Sequence, residues 1–371
     1  MKKNSEILNS PIFNLPIERE KGDFIEFLEL KFDEYFDTLK HFNGELGEAI
    51  RNHNEMISCE MACIFSSLHS YYEGKPSYAY LQLTKCLENI RGHLWIQTQE
   101  ISDKRNKLFR IRNGNNNQFN KRDLFHIPFE LRNIVRRQRY SIPGLPCIYL
   151  STDIYTCWEE MDRPDIKNVH VSRFDLNDSR LKFLFLDQRS EVIRRMFNKP
   201  YEECDESSKM HILNFILTYP LLLACSIKVE DYDSEFIPEY LVPQILLQWV
   251  IESEDIDGIQ YISNKTQFKL KPVVMESETN IVIPTKEFKS KGYCPELLKR
   301  IKLTDPISYS LLELSDDSIL KHRASFINIL MNRKKHKIIE LIAGQKTVYE
   351  NTIFGKLEKK LSTMKVDNIH E

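Results

Sequence analysis

A basic segment is the first feature of the sequence that could do chemistry. Between positions 104 and 139 it holds eleven Lys or Arg residues against two acids, a net charge of +9. One interpretation of such a run is a solvated basic face. The other is a phosphate-binding wall, because an arginine fork donates paired hydrogen bonds to phosphate oxygens. Charge alone leaves both interpretations open.

Thiols and imidazoles offer weaker candidates. Cys147 and Cys157 stand beside apolar residues, with no histidine at a suitable spacing, which favours buried thiols over nucleophiles. His126, in FHIPFE, is interpreted as a packing or loop residue. Core packing is also favoured over a metal site for three residues of one predicted helix, Cys59, Cys63 and His69. The sequence therefore predicts no metal.

Composition excludes several function classes. The 371 residues are 42% hydrophobic and 29% charged, as in an ordinary globular protein, and the formal charge of −2 gives no global field that would attract DNA or an anionic membrane. No G-x-G pair, P-loop, H-E-x-x-H or G-x-S-x-G motif occurs. The eight cysteines form no C-x-x-C pair and are interpreted as reduced thiols.

The amino terminus and the most apolar segment predict a cytoplasmic protein without a membrane span. MKKNSEILNS carries two lysines but no apolar core of a secretory signal. Residues 212–229 are interrupted by polar residues and a proline, and fall short of about 20 uninterrupted apolar residues. We expect them to form a buried core helix or strand.

The elements that would position these residues suggest four regions. Residues 1–21 are an irregular lead-in, and residues 22–103 form a helical domain with helices from 24, over 45–72 and over 77–101. A second domain follows over 104–312, in which strands are predicted at 108–112, 147–151, 169–176, 181–186, 258–262 and 280–283. Helices over 153–161, 207–217 and 240–253 separate these strands. Residues 313–371 form a helical carboxy-terminal extension, and the fold class is α+β or α/β.

Four segments of the second domain together resemble the RES domain. They are LFRIR (108–112), QRYSIPGLPCIYLS (138–151), TCWEEM (156–161) and DGIQYIS (257–263). The family is named for an Arg, a Glu and a Ser, and its members resemble ADP-ribosyltransferases in fold and include bacterial toxins that degrade NAD. The resemblance covers about 108–312. It implies an α+β fold whose ADP-ribosyltransferase-like split β-sheet domain is flanked by the two helical regions.

The resemblance also implies a set of site residues. It gives catalytic roles to Glu160, Ser263 and Tyr149, and contacts with NAD to Arg110, Arg139 and Ser141. Ser141 stands where many members have Asn, which leaves the contact at this position open. Glu160 is preferred over Glu159 because adjacent helical residues point about 100° apart and Glu160 fits the T-x-x-x-E form. Replacing Glu159 is expected to remove little more than a surface charge.

Cleavage of the bond between nicotinamide and ribose in NAD needs only one carboxylate. Nicotinamide leaves the ribose as a neutral molecule, so that no general acid is needed, in contrast to ordinary glycosidases, which use two carboxyl groups. Glu160 would stabilise the developing oxocarbenium charge, and the arginines would bind the diphosphate. The resemblance implies NAD as substrate, no metal, an antitoxin or other regulatory partner, and a role as a toxin or in defence against phage. It leaves a homo-oligomer open.

The alternatives differ in the acceptor and in the class of substrate. Water, phosphate or a protein could receive the ADP-ribosyl group, and the sequence does not decide among hydrolysis, phosphorolysis and protein ADP-ribosylation. An RNA-binding or RNA-cleaving HEPN-like protein is the rival class. Its R-x(4–6)-H motif fits only Arg163 and His170, and Pro164 makes a helix there unfavourable. Nucleic acid is therefore not the favoured partner.

Overall fold

The computed structural model describes residues 3–98, 107–114, 119–176, 180–197, 199–265, 278–315, 337–342 and 344–369. The chain divides into two compact units. Unit 1 combines Met1–Gln97, Arg136–Pro143 and Lys182–Asn264, and unit 2 combines Thr98–Val135, Gly144–Leu181 and Lys265–Glu371. Helices and strands occur in both units, which confirms the α+β class.

The helices within the described residues form two consecutive groups, one before the first strand and one between the fifth and sixth strands, and a few more lie among the other strands. They are α1 (Asn4–Ile7), α2 (Phe24–Leu39), α3 (Gly44–Asn52), α4 (Asn54–Tyr72), α5 (Pro76–Ile90), α6 (Ile154–Glu160), α7 (Ser190–Met196), α8 (Glu206–Leu217), α9 (Tyr219–Cys225), α10 (Leu241–Glu252), α11 (Pro295–Arg300), α12 (Tyr309–Ser315) and α13 (Ile353–Ser362). The strands are β1 (Ile96–Thr98), β2 (Leu108–Asn113), β3 (Cys147–Ser151), β4 (Val169–Asp175), β5 (Lys182–Leu186), β6 (Gly258–Ile262), β7 (Thr279–Pro284), β8 (Lys302–Leu303), β9 (Ile307–Ser308), β10 (Ile338–Ile342) and β11 (Gln345–Val348).

Unit 1 is mainly helical, and its amino-terminal helices pack with residues far along the chain. The Asp23 side chain caps α2 by accepting from the amides of Ile25 and Glu26. From the same helix, the Tyr35 hydroxyl donates to Ile216 O. Residues 22–103 therefore do not stand apart from 182–264, and the units cut across the linear division that the sequence suggests.

Two predicted helices of the amino-terminal region differ from the expectation. The stretch 45–72 is broken at His53 into α3 and α4, within an Asn-His-Asn sequence of low helix propensity. The helix predicted over 77–101 ends at Ile90, and strand β1 follows. The rest of its predicted end, 99–101, and the domain start at 104 lie outside the described residues.

The most apolar segment is buried, as predicted. Every residue of α9 is buried. Within the described ranges, no single helix has the length and hydropathy to span a membrane; α8 and α9, bent by 54°, meet the criterion only as a pair, by length and composition. In the same unit, β5 lies between β1 and β6 and runs parallel to β6.

Unit 2 is built on antiparallel strands. Their order is β7–β3–β2–β4–β8, and β9 also pairs with β4. Along β3 and β7, Ser151 lies opposite Asn280, and along β2 and β4, Arg110 lies opposite Ser172. The predicted strands at 147–151 and 258–262 have the bounds of β3 and β6, and those at 108–112 and 280–283 match β2 and β7 within a residue.

The carboxy-terminal region contains a hairpin where helix was expected. Strands β10 and β11 pair antiparallel, with Ile338 opposite Val348, and helix α13 follows. Apolar side chains of this region join the core of unit 2, in which the buried members include Tyr349, Phe354, Leu357 and Leu361. The helix predicted over 316–331 lies outside the described residues.

Candidate active site

Arg110 is a partly buried cation on β2. Its Nη1 donates to Phe125 O at 2.6 Å. Burial, together with the charge of Arg112, lowers the pKa of the guanidinium to about 10, although Tyr149 opposes the shift. Arg110 therefore keeps its charge at neutral pH, in surroundings where a positive charge is unfavourable until an anion approaches.

Tyr149 lies on β3, the strand next to β2. Its side chain is half-buried, whereas its neighbours Ile148 and Leu150 are buried. Its charge opposes the lowering of the Arg110 pKa. Its role in the site stays a prediction.

Glu160 is the last residue of α6, the short helix that follows β3. Asp153 starts this helix, because its Oδ1 accepts from the Thr156 amide at 2.7 Å. At the other end, Glu160 Oε1 accepts from Asn280 Nδ2 at 2.6 Å. Asn280 Oδ1 accepts in turn from Ser151 Oγ at 2.6 Å. Strands β3 and β7 thus hold the half-buried carboxylate of Glu160 through two side chains.

Lys265 fixes the backbone at the same end of α6. Its Nζ donates to Glu160 O at 3.1 Å and pairs with Asp162 at 2.7 Å. Asp162 and Arg163 both have positive φ, of 59° and 56°, directly after the helix. The lysine therefore stabilises the sharp turn that ends α6.

Glu159 is placed differently from its neighbour. Its carboxylate is buried and forms two 2.9 Å hydrogen bonds with Arg163, and these raise the pKa of that arginine. The expectation of a surface charge at 159 is wrong. Both the burial and the i, i+4 partner make Glu159 a structural residue.

Arg139 belongs to unit 1 and is buried. Nη1 donates to Cys225 O at 2.9 Å, Nη2 donates to Ile227 O at 3.0 Å, and the guanidinium lies 5.4 Å from the centre of the Tyr240 ring. Both terminal nitrogens thus bind backbone of the same unit. One of these carbonyls belongs to the last residue of α9, and the other lies just after this helix.

Ser141 and Ser263 also belong to unit 1. Ser141 closes a local turn, in which Oγ accepts from the Gln138 amide at 2.8 Å and donates to Arg136 O at 3.2 Å. Ser263 is buried directly after β6. The next residue, Asn264, donates to Ile227 O at 3.0 Å, the same carbonyl that Arg139 binds.

The predicted site residues thus fall into two groups. Unit 2 brings Arg110, Tyr149 and Glu160 onto adjoining elements, whereas unit 1 brings Arg139 next to the segment that carries Ser263. The catalytic and NAD-binding roles implied for all six residues stay predictions.

The comparisons with known proteins give a relative of similar sequence. A protein of Bacillus subtilis (strain 168) named "Putative toxin YopC" is 31% identical over 326 residues, which cover 82% of this chain and 70% of the relative. The chain belongs to the YopC family. No family model matches this YopC-family chain. No solved structure matches it.

Sequence reasoning missed three residues that hold Glu160 in this member of the YopC family. Asn280 binds the carboxylate, Ser151 binds Asn280, and Lys265 binds the end of the helix. Asn280 offered a signal, since it is a polar residue at the start of the apolar run NIVIP, within a strand whose side chains are all buried. Its contact partner, 120 positions away, could not be found from the sequence.

The other reactive side chains of the YopC-family chain have structural surroundings. All eight cysteines are free, as predicted, and burial raises the pKa of Cys147 and of Cys157 to about 12. Burial lowers the pKa of His126 to about 4; its Nδ1 donates to Ile127 O, and Nε2 accepts from the Cys294 amide. Among the described residues, no group of three His, Cys, Asp or Glu is arranged to hold a metal.

Proposed function

We propose that the chain is a toxin that consumes NAD by cleaving the bond between nicotinamide and ribose. The name of the B. subtilis relative supports a toxin-like role. The four RES-like segments support the substrate and the ADP-ribosyltransferase-like fold. In this proposal the reaction is NAD⁺ plus water giving ADP-ribose, nicotinamide and a proton.

The observation that carries the proposal is the fixed carboxylate of Glu160. Asn280, itself bound by Ser151, donates to one of its oxygens, and Lys265 holds the end of α6. A carboxylate held in one place stabilises a developing positive charge without having to reorganise. That is the requirement for departure of a neutral nicotinamide, in which the ribose becomes an oxocarbenium ion.

Arg110 is the stronger candidate for the diphosphate. It is cationic and partly exposed, and its pKa is lowered by surroundings that a bound anion would relieve. Arg139 binds two backbone carbonyls, and each terminal nitrogen has one further N–H to offer. In the proposal, Ser263 orients the ribose and Ser141 has a secondary contact.

The acceptor is a second part of the proposal. Water is our first choice, since NAD depletion alone would stop growth; phosphate would give ADP-ribose 1-phosphate, and a protein acceptor would give an ADP-ribosylated target. A toxin of this kind needs an antitoxin or other regulatory protein in the cell that makes it. The HEPN-like alternative has no support, because Arg163 follows α6 in a turn and His170 lies on β4.

The test is chromatography of NAD incubated with the purified full chain, with and without phosphate. Release of nicotinamide with ADP-ribose supports hydrolysis, and ADP-ribose 1-phosphate formed only with phosphate supports phosphorolysis. If NAD stays intact with the chain alone but labelled ADP-ribose appears on proteins of a cell extract, the acceptor is a protein. Intact NAD under all these conditions would overturn the proposal.

A further inference from the structure

The first turn of α6 is held by the carboxy-terminal region of the chain. Glu358 of α13 accepts from the Ile154 amide through Oε1 at 2.9 Å, and the Tyr349 hydroxyl lies 3.5 Å from the Tyr155 amide. Asp153 accepts from the third amide of the turn. A short helix depends on partners for these first amides, because none of them has a partner within the helix.

Glu358 is itself held in place by its surroundings. The Tyr349 hydroxyl donates to its Oε1 at 2.5 Å. One turn earlier on α13, Phe354 packs edge-on against Tyr155 at 5.6 Å between ring centres and tilted against Trp158 at 5.5 Å. Helix α13, which carries the carboxylate, cannot move away from α6 without disturbing this apolar contact.

Helix α6 is therefore fixed at both ends by side chains that its own sequence does not contain. Asn280 holds Glu160 at the last residue, and Glu358 holds the first amide. Since the helix has seven residues, a shift at its start moves Glu160 as well. We infer that Glu358 is a positioning residue for Glu160, through which the carboxy-terminal region controls the reaction; this inference rests on the proposed function.

The charges around Glu358 make this contact sensitive to pH. The groups that act on it or are acted on by it are Asp153, Tyr349, Lys337, Lys107 and Cys157. Burial, together with the charge of Asp153, raises the pKa of Glu358 to about 7, although the hydrogen bonds from Tyr349 and Ile154 and the charge of Lys337 oppose the shift. Ionisation places a second negative charge beside Asp153.

The sign of the pH effect follows from the raised pKa. The folded chain favours protonated Glu358, and this stabilisation is complete below the ordinary pKa of 4.5 and is lost as the pH rises through about 7. The contact with α6 should therefore weaken between pH 6 and pH 8. A glutamine at 358 keeps the acceptor oxygen and stays neutral, so that its contact should not change over this range.

Hydrogen exchange of the α6 amides tests the contact without any substrate. We expect Glu358→Ala to speed exchange at Ile154 and Tyr155 by about 5- to 10-fold, the effect of losing a helix cap. Glu358→Gln should restore protection and should protect better than the native chain at pH 8. The matched control is Glu350→Gln, at an exposed residue of the same region. Unchanged exchange in Glu358→Ala would overturn the contact.

Kinetics with NAD test whether the contact positions Glu160. Glu358→Ala should lower kcat by about 5- to 10-fold and leave KM unchanged, because it displaces a group that acts in the transition state. Native kcat should fall from pH 6 to pH 8 more than that of Glu358→Gln. Faster exchange in Glu358→Ala together with an unchanged kcat would contradict the positioning role and leave the contact with α6 in place. If neither the native chain nor any variant turns over NAD, the proposed function fails. The exchange experiment still decides whether Glu358 binds the start of α6.

Discussion

The two arginines implied to bind NAD lie in contrasting surroundings. Arg110, in unit 2, is partly exposed, with a lowered pKa and one donated hydrogen bond to a backbone carbonyl. Arg139, in unit 1, is buried, with both terminal nitrogens bound to backbone carbonyls and its guanidinium near the Tyr240 ring. The same residue type is thus a partly exposed charge in one region and a buried group that binds the backbone in the other.

The largest effect should come from the carboxylate that unit 2 holds. Glu160→Gln keeps the shape but removes the charge that stabilises the oxocarbenium ion, so we expect kcat for nicotinamide release to fall about 100- to 1000-fold. Glu159→Gln is the matched variant and should act on stability, because it weakens the pair between the buried Glu159 carboxylate and Arg163. A dead Glu159→Gln protein that is fully folded, beside an active Glu160→Gln protein, would reverse the assignment.

Arg139→Ala should reveal a structural role. The change leaves the carbonyls of Cys225 and Ile227 without these donors, and we expect the free energy of unfolding to fall by about 2 to 4 kcal/mol. Urea denaturation measures this loss. Arg136→Ala, at an exposed residue three positions earlier, is the control and should change little. A stable Arg139→Ala protein with a greatly raised KM would make Arg139 a ligand residue after all.

Arg110→Ala should show the opposite pattern. Loss of a charged contact with the diphosphate is expected to raise KM for NAD by about 10- to 100-fold. The free energy of unfolding should fall less than in Arg139→Ala, because Arg110 donates to one backbone carbonyl through Nη1, whereas Arg139 donates to two. Steady-state kinetics of Arg110→Ala and of the exposed Arg112→Ala would compare a positioned cation with a nearby one. Equal effects would indicate a diffuse basic surface.

The smallest effect is expected at Asn280. Asn280→Ala removes the donor to Glu160 but keeps the carboxylate, so we expect kcat to fall by about 5- to 10-fold, in line with the loss of one charged hydrogen bond. Ser151→Ala removes the next member of the network and should cost less. If Asn280→Ala keeps native kcat, Glu160 is positioned by its helix alone.

The sequence predicted the helices and strands whose bounds depend on residues that are neighbours along the chain. The strand predicted over 147–151 has the bounds of β3, and the helix predicted over 153–161 matches α6 within one residue at each end. The apolar spacing of KIIELI fits a helix equally well as a strand, and the hairpin at 338–348 was missed for that reason. A short apolar run is compatible with both the helical period and the strand period.

The rest depends on contacts between distant residues. Glu160 and Asn280 are 120 positions apart, and Ile154 and Glu358 are 204 apart, so that no spacing rule could pair them. Glu159 is the instructive failure. Its partner Arg163 stood at the i, i+4 spacing and could have been found, yet the carboxylate was taken for a surface charge because its burial depends on the tertiary fold.

The most direct test of the central claim is nicotinamide release measured side by side for the native chain, Glu160→Gln and Glu159→Gln, each shown to be folded beforehand. We predict that the native chain releases nicotinamide from NAD, that Glu160→Gln is slower by at least about 100-fold, and that folded Glu159→Gln stays within about 10-fold of native. Equal release by all three proteins, or none by the native chain, would contradict a role for Glu160 in NAD cleavage.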